Sequence, residues 1–217
     1  MSTLRKYPRT PHLPSSLSLT SDDKQLSGID HLLNKEVVIT EKRDGENTSM
    51  YRDAIHARSI DSKNHPSRNY VKKLWGQICT NIPESYRICG ENLYAKHSIE
   101  YTLESYFEVF SVWDDLVCLS WNDTLEWVEL LGLKSVPVVF QGILTMSILD
   151  DIISKIDTNI QEGIVVRLAS SFTYDQFGKS VAKWVRENHV QTDEHWMHSK
   201  IVANKLTCPP GALRIQL

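Results

Sequence analysis

The chain has 217 residues, enough for one domain with a sizeable core and too few for two generous ones. Hydrophobic residues make up 41% and charged residues 24%, which are globular averages and exclude disordered and fibrous classes. A formal net charge of -3 argues against a protein that coats nucleic acid nonspecifically, and no apolar run reaches the roughly 18 residues of a membrane span. The N-terminus, MSTLRKYPRTPHLPSS, lacks the apolar core of a signal peptide, so a cytoplasmic location is expected. Cys79, Cys89, Cys118 and Cys208 form no C-x-x-C pair and read as reduced, buried structural thiols.

In chain order, residues 1–30 carry Pro8, Pro11 and Pro14 without a clean period and read as an extended arm laid over the domain. EVVIT (36–40), NTSMYR (47–52) and AIHAR (54–58) predict a strand meander with a tight turn at Arg52 and Asp53. Val71, Leu74, Trp75 and Ile78 recur at helical spacing behind Pro66, a residue tolerated in a first turn. RICGENLY (87–94) and YFEVFSVW (106–113) read as strands. A helix follows, carrying Leu125, Val128 and Leu131, with Ser120 as N-cap and Gly132 as the stop. VPVVF (136–140) is a short strand, Ile148 to Ile156 a helix, GIVVRL (163–168) and SVAKWVR (180–186) strands, and 193–206 a last helix. The mixed order, without regular βαβ alternation, predicts an α+β domain on antiparallel sheets.

Between Arg58 and Trp75 five basic residues (Arg58, Lys63, Arg68, Lys72, Lys73) meet one acid, Asp61. That composition suits either a phosphate-binding face or a solvated helix face. Directly after EVVIT comes EKRDGEN (41–47), which sets Lys42, Asp44 and Gly45 as K-x-D-G. Alone, such a pattern arises by chance in about one chain of this length in twenty, and Asp44 has the simple reading of a turn residue before glycine. The pattern gains meaning because Glu91 ends one strand, Glu162 opens another and Lys183 lies within a third. This set suits nucleotidyl transfer. A lysine amine attacking phosphorus must be neutral, and at an ordinary pKa only about 1 in 2,500 is neutral at pH 7, so a nearby cation must lower that pKa. Glu91 and Glu162 can hold Mg²⁺, and Lys183 and Arg186 can neutralise triphosphate oxygens.

EKRDGEN, RICGENLYAKHSIEY, YFEVFSVWD, QEGIVVR and SVAKWVR stand in the order and approximate spacing of the motifs of covalent nucleotidyltransferases, the polynucleotide ligases and mRNA capping enzymes. With Asn47 completing K-x-D-G-x-N, the chain most resembles ATP-dependent RNA ligases of the T4 RNA ligase 2-like family, from about residue 36 to 190. The resemblance implies an ATP-grasp-like catalytic domain of antiparallel sheets flanked by helices, here one domain over 1–217 with 1–30 as its arm. It implies ATP as substrate, Mg²⁺ or Mn²⁺ as cofactor, and RNA 5′-phosphate and 3′-hydroxyl ends as partners, with a possible end-processing enzyme alongside. Carried over residue by residue, Lys42 forms lysyl-AMP, Asp44 stands near the reacting groups, Glu41 contributes to adenine recognition, and Asn47 lies near the phosphate. Arg58 binds ribose or RNA phosphate, Glu91 contacts ribose and supports the metal, Phe107 stacks on adenine, and Glu162 is the metal-linked carboxylate. Lys183 matches the first lysine of the last motif. Where that motif usually reads K-x-K this chain has K-W-V-R, which leaves Arg186 and Lys179 as candidates for the second cation.

The 34 residues after Lys183 are too few for a five-stranded OB barrel, which places DNA ligases and capping enzymes second. A guanylyl- or adenylyltransferase with another acceptor, or a binding module that has lost chemistry, are the competing readings. His189, His195 and His198 match no strong zinc signature. His12 and His97 have no role legible at this level.

Overall fold

The computed structural model describes residues 2–16, 23–187 and 201–207. The strands are β1 (Glu36–Lys42), β2 (Glu46–Met50), β3 (Ile55–Ala57), β4 (Tyr86–Asn92), β5 (Thr102–Leu103), β6 (Phe107–Asp114), β7 (Val117–Cys118), β8 (Lys134–Ser135), β9 (Val138–Ile143), β10 (Gly163–Leu168), β11 (Phe172–Thr173), β12 (Val181–Val185) and β13 (Lys205–Leu206). The helices are α1 (Asn69–Ile78), α2 (Trp121–Leu130), α3 (Met146–Ser154) and the single turn α4 (Phe177–Ser180).

Two sheets face each other. One runs β12-β10-β1-β9, all antiparallel. The other runs β11-β7-β6-β4-β2-β3, with β8 added parallel to β6. Strand alternation decides what each face carries. On β1, Val37 and Ile39 turn away from the opposite sheet and pack with Leu144 and Leu149 of the α3 region and with Leu13, Ile29 and Leu32. Met50, Ile88, Val109 and Val112 form the outer face of the second sheet and pack under α1 and α2 with Val71, Ile78 and Val128. Each sheet therefore buries its outer face under helix and leaves its inner face to a shared cleft. This is the expected α+β arrangement of antiparallel sheets.

The local signals act as read. The Tyr51 amide donates to the Ala54 carbonyl at 2.8 Å, closing the turn between β2 and β3. Ser120 caps α2, its hydroxyl accepting from the Asp123 amide. Gly132 takes φ +63°, and the Leu133 amide reaches back to the Val128 carbonyl at 2.8 Å, the long bond of a Schellman stop. The arm is extended and docked: the Lys183 amide donates to the Pro11 carbonyl (2.9 Å) and the Leu13 amide to the Lys183 carbonyl (2.7 Å), so it lies along the free edge of β12. One expectation fails. Residues 201–206 are not helical, because Lys205 and Leu206 pair in parallel with Thr102 and Leu103, and Ala203 bridges Ala95; residues 193–200 of that expected helix lie outside the described residues. Among the described residues no helix is long and apolar enough to cross a membrane.

Candidate active site

A cleft of about 1040 Å³ opens between the inner faces of the two sheets, a size that suits a nucleotide. Lys42 ends β1 on the cleft side, two residues beyond Thr40, which also lines it. The residue paired with Lys42 on β10 is Gly163, so the residue before it, Glu162, stands beside the ammonium: Lys42 Nζ lies 2.5 Å from Glu162 Oε2. A Cβ on Gly163 would overlap the Trp184 carbonyl oxygen, which is why that pairing needs glycine. Thr40, Val165 and Lys183 form the neighbouring row across β1, β10 and β12, which sets the Lys183 ammonium on the same face as Lys42.

From the facing sheet, Asn47 and Glu91 are paired on β2 and β4, and both line the cleft. Gly45 makes this approach possible. A Cβ there would sit 2.6 Å from the Asn92 carbonyl oxygen and 2.9 Å from Glu91 Cγ, inside contact distance, so only glycine lets the turn after Lys42 lie against β4. The glycine of K-x-D-G thus brings nucleophile strand and carboxylate strand together.

Two carboxylates converge on one ammonium. Burial disfavours the charge on Lys42, but Glu162 above all and then Glu91 outweigh it and hold the amine above its usual pKa. Burial pushes Glu91 up to about 8, with Lys42 pulling the other way and Glu162 adding to the rise. Burial, and then the charge of Lys42, lower Lys183. Arg58 lines the cleft and is likewise lowered by burial and by the neighbouring Arg9. Among the described residues no cluster of three or more His, Cys, Asp or Glu is arranged to hold a metal on protein ligands alone. Glu91 and Glu162 nevertheless fit a hard divalent cation that takes its other ligands from water and phosphate. Asn47 Oδ1 is buried without a hydrogen-bond partner and adds a neutral oxygen to the same cleft.

Asp44 has a different setting. Its Oδ2 accepts from the Ser98 amide (2.8 Å), the Ser98 hydroxyl (2.6 Å) and the Ile99 amide (3.2 Å), and His97 Nδ1 stands 3.7 Å from Oδ1. It ties the 97–99 segment to the Lys42 turn, while its charge still acts on Lys42. Glu41 lines the cleft, and its carboxylate is held by Arg43 at 2.7 Å, which also reaches Glu108 at 2.7 Å.

Two expectations are corrected. Phe107 is fully buried against the helices with Met50, Val71 and Val109 and does not line the cleft. Phe110 does. The pairing of β4 with β6 slips between Cys89 and Gly90, so that Gly90 faces Val109 while Cys89 faces Ser111. Phe110 is the extra residue of that bulge, and bulges re-aim side chains in this way. Arg186 also leaves the cleft: Nη1 donates to the Thr158 carbonyl (2.7 Å) and Nη2 to the Ser98 hydroxyl (3.1 Å). Lys179 is exposed outside it.

The arm supplies residues that sequence reasoning missed. Lys6, Tyr7, Arg9 and Asp23 all line the cleft, and Tyr7 packs edge-on against Phe110 at 5.1 Å. The only sequence signal was the basic-aromatic composition of RKYPR (5–9). Of the basic stretch, Arg58 and Arg68 face the cleft, and Arg68 is tied to Glu46. Lys72 stays exposed on α1 beside Asn64, so the stretch divides between the cleft and a solvated helix face. His189, His195 and His198 lie outside the described residues.

A family model described as RNA ligase matches residues 35–185. The chain belongs to the RNA ligase family. That match spans β1 through β12, which include Lys42, Glu91 and Lys183, and the residue before β10, Glu162. Among solved structures, an archaeal ATP-dependent RNA ligase superposes with a TM-score of 0.58 at 17% identity, over 84% of this chain and 48% of that one. A lysine-to-alanine mutant of the Naegleria gruberi RNA ligase with ATP and Mn gives 0.53 at 19% identity, over 75% and 53%. A putative ATP-dependent DNA ligase from Aquifex aeolicus gives 0.57 at 18% identity, over 84% and 50%. This chain therefore shares its fold with the matched part of these ligase structures and spans about half their length. None of the curated proteins compared matches it.

Proposed function

We propose that this RNA ligase family member joins an RNA 3′-hydroxyl to a 5′-phosphate at the expense of ATP, through an adenylate on Lys42. The observation that carries the reading is the convergence, in one nucleotide-sized cleft, of Lys42 with Glu162 at 2.5 Å and of Glu91, Arg58 and Lys183 around them. The neutral Lys42 amine attacks the α-phosphorus of ATP. A nitrogen–phosphorus bond forms, the bond to the bridging oxygen breaks, and pyrophosphate leaves. An oxygen of the RNA 5′-phosphate then displaces Lys42 to give an RNA adenylate, and the 3′-hydroxyl displaces AMP.

The chain's own residues divide the work. Glu162 holds the Lys42 proton and stands where that proton must go. Arg9, Arg58 and Lys183 face the phosphates and offset their charge. Phe110 and Val165, from opposite sheets, form the apolar walls for the base. Glu91 and Glu162 would hold a divalent cation, which when bound would supply charge neutralisation on phosphate oxygens. Contacts to 2′-hydroxyls would distinguish RNA from DNA. The archaeal and Naegleria structures are named as RNA ligases, one with ATP and Mn, which supports this choice of nucleotide, metal and acceptor. A cytoplasmic enzyme acting on ends prepared by a separate processing enzyme is the setting this reading implies.

Sealing assays test it. Strands with a 3′-hydroxyl and a labelled 5′-phosphate are offered as nicked RNA duplex, as single-stranded RNA and as nicked DNA, with ATP and Mg²⁺. Conversion of the labelled RNA to a longer, phosphatase-resistant strand is expected. Sealing of the DNA nick alone would reassign the acceptor, and an AMP adduct that passes to no strand would leave a different acceptor to find.

A further inference from the structure

The arm enters the site at a defined point. Its residues 11–13 extend the sheet beside Lys183 through the two backbone bonds described above. His12 is fully buried, its amide donating to the Lys24 carbonyl (2.6 Å) and its carbonyl accepting from the Leu26 amide (2.9 Å). This double pairing brings Asp23 back over Lys183. Asp23 Oδ1 lies 3.4 Å from Lys183 Nζ and 3.3 Å from His12 Nε2, and the His12 Nδ1 side is fixed by the Ser16 hydroxyl at 2.8 Å.

The cleft thus holds two ammonium groups one row apart, each with its own carboxylate from a different part of the chain. Glu162 serves Lys42, and Asp23 serves Lys183. The separation matters because Lys183 is disfavoured as a cation by burial and by Lys42. Without a carboxylate of its own, Lys183 would compete for Glu162 or turn out of the cleft, and a lysine side chain has enough rotamer freedom to do either.

We propose that Asp23, backed by His12, is a positioning residue for adenylyl transfer, holding the Lys183 ammonium on the cleft face where the triphosphate must pass. It acts through Lys183, and its contribution vanishes when Lys183 is absent. The inference rests on the ligase reading, and it gives the arm a place in the chemistry.

The test is a double-mutant cycle on formation of the AMP adduct. Wild type, Asp23→Asn, Asp23→Glu, Lys183→Gln and Asp23→Asn with Lys183→Gln are incubated with ATP and Mg²⁺, and adduct mass is followed in time with melting temperature measured alongside. The adduct accumulates on the protein, so rates about a thousandfold below wild type stay readable over long incubations. Asp23→Asn is expected to lower the rate at saturating ATP about tenfold or more, with KM for ATP within about twofold, and Asp23→Glu to recover most of it. On the Lys183→Gln background the same change is expected to cost less than about twofold, the signature of two residues acting as one unit. A loss that multiplies in full onto Lys183→Gln, or one that follows the melting temperature and is not recovered by Asp23→Glu, would overturn the proposal. A wild type that gains no AMP overturns the ligase reading together with this inference. A labelled wild type beside an equally fast Asp23→Asn overturns the inference alone.

Discussion

Lys42 and Glu162, 120 residues apart in the chain, form an ion pair 2.5 Å long because Lys42 pairs in register with the residue after Glu162. The geometry is set by the β1–β10 ladder, so it does not depend on a flexible loop. Removing the carboxylate strips the Lys42 proton of its partner and the cleft of one of its two candidate cation ligands. Glu162→Ala is expected to slow AMP transfer at least about a hundredfold, within the range for loss of a proton-handling group, while far-ultraviolet circular dichroism stays unchanged. A variant within threefold of wild type would remove Glu162 from the chemistry.

The ion pair also sets a pH dependence. The pKa of Lys42 is raised, so across the neutral range the amine is protonated and its reactive neutral fraction grows about tenfold per pH unit. Glu91, pushed up to about 8, gains its cation-binding carboxylate form over the same range, while its charge draws the Lys42 pKa further up and opposes part of that rise. The initial rate of adduct formation is therefore expected to rise between pH 6 and pH 8 with a logarithmic slope of up to about 1. A flat profile over that range, with the chemical step shown to limit the rate, would contradict the account.

The bulge on β6 makes two phenylalanines separable. Phe107→Ala empties a fully buried site and is expected to cost about 3–5 kcal/mol of stability, seen as a lowered denaturation midpoint. Phe110→Ala removes a cleft wall and is expected to raise KM for ATP about tenfold with a much smaller loss of stability. If the two variants exchanged phenotypes, Phe107 would be the base platform after all.

Arg186 gives a third contrast. Its guanidinium bridges Thr158 and Ser98, and Ser98 in turn holds Asp44. Arg186→Ala is expected to cost roughly 1–3 kcal/mol of stability, as for hydrogen bonds made by a charged group, with KM for ATP within about twofold. A KM rise of an order of magnitude in a fully folded variant would return Arg186 to the phosphates.

Much of this was legible from local chemistry. The apolar run before Lys42, the Ser120 cap and the Gly132 stop are short-range signals, and each acts locally. Lys42, Glu91 and Glu162 were singled out at or beside the ends of recognisable strands, and Lys183 within one. Phe110 was not, because a bulge is a property of pairing between β4 and β6 and leaves no mark on the period of YFEVF. The arm was read as a covering segment, but whether Asp23 meets Lys183, 160 residues away, depends on the backbone pairing of Pro11 and Leu13 with Lys183, which composition does not encode. His12 and His97 gained settings for the same reason: each stands against an aspartate placed by tertiary structure. Strand β13 has only two residues and exists through its partner Thr102–Leu103, so propensity over 201–206 had little to say.

The most direct measurement is intact mass of the purified protein after incubation with ATP and Mg²⁺, with GTP in parallel and with Lys42→Ala as control. The account predicts gain of a single AMP from ATP, no gain from GTP, and no gain in a Lys42→Ala protein that melts like wild type. A full adduct on Lys42→Ala would show another nucleophile, and no adduct on folded, previously unadenylated wild type would contradict the lysyl-AMP mechanism outright.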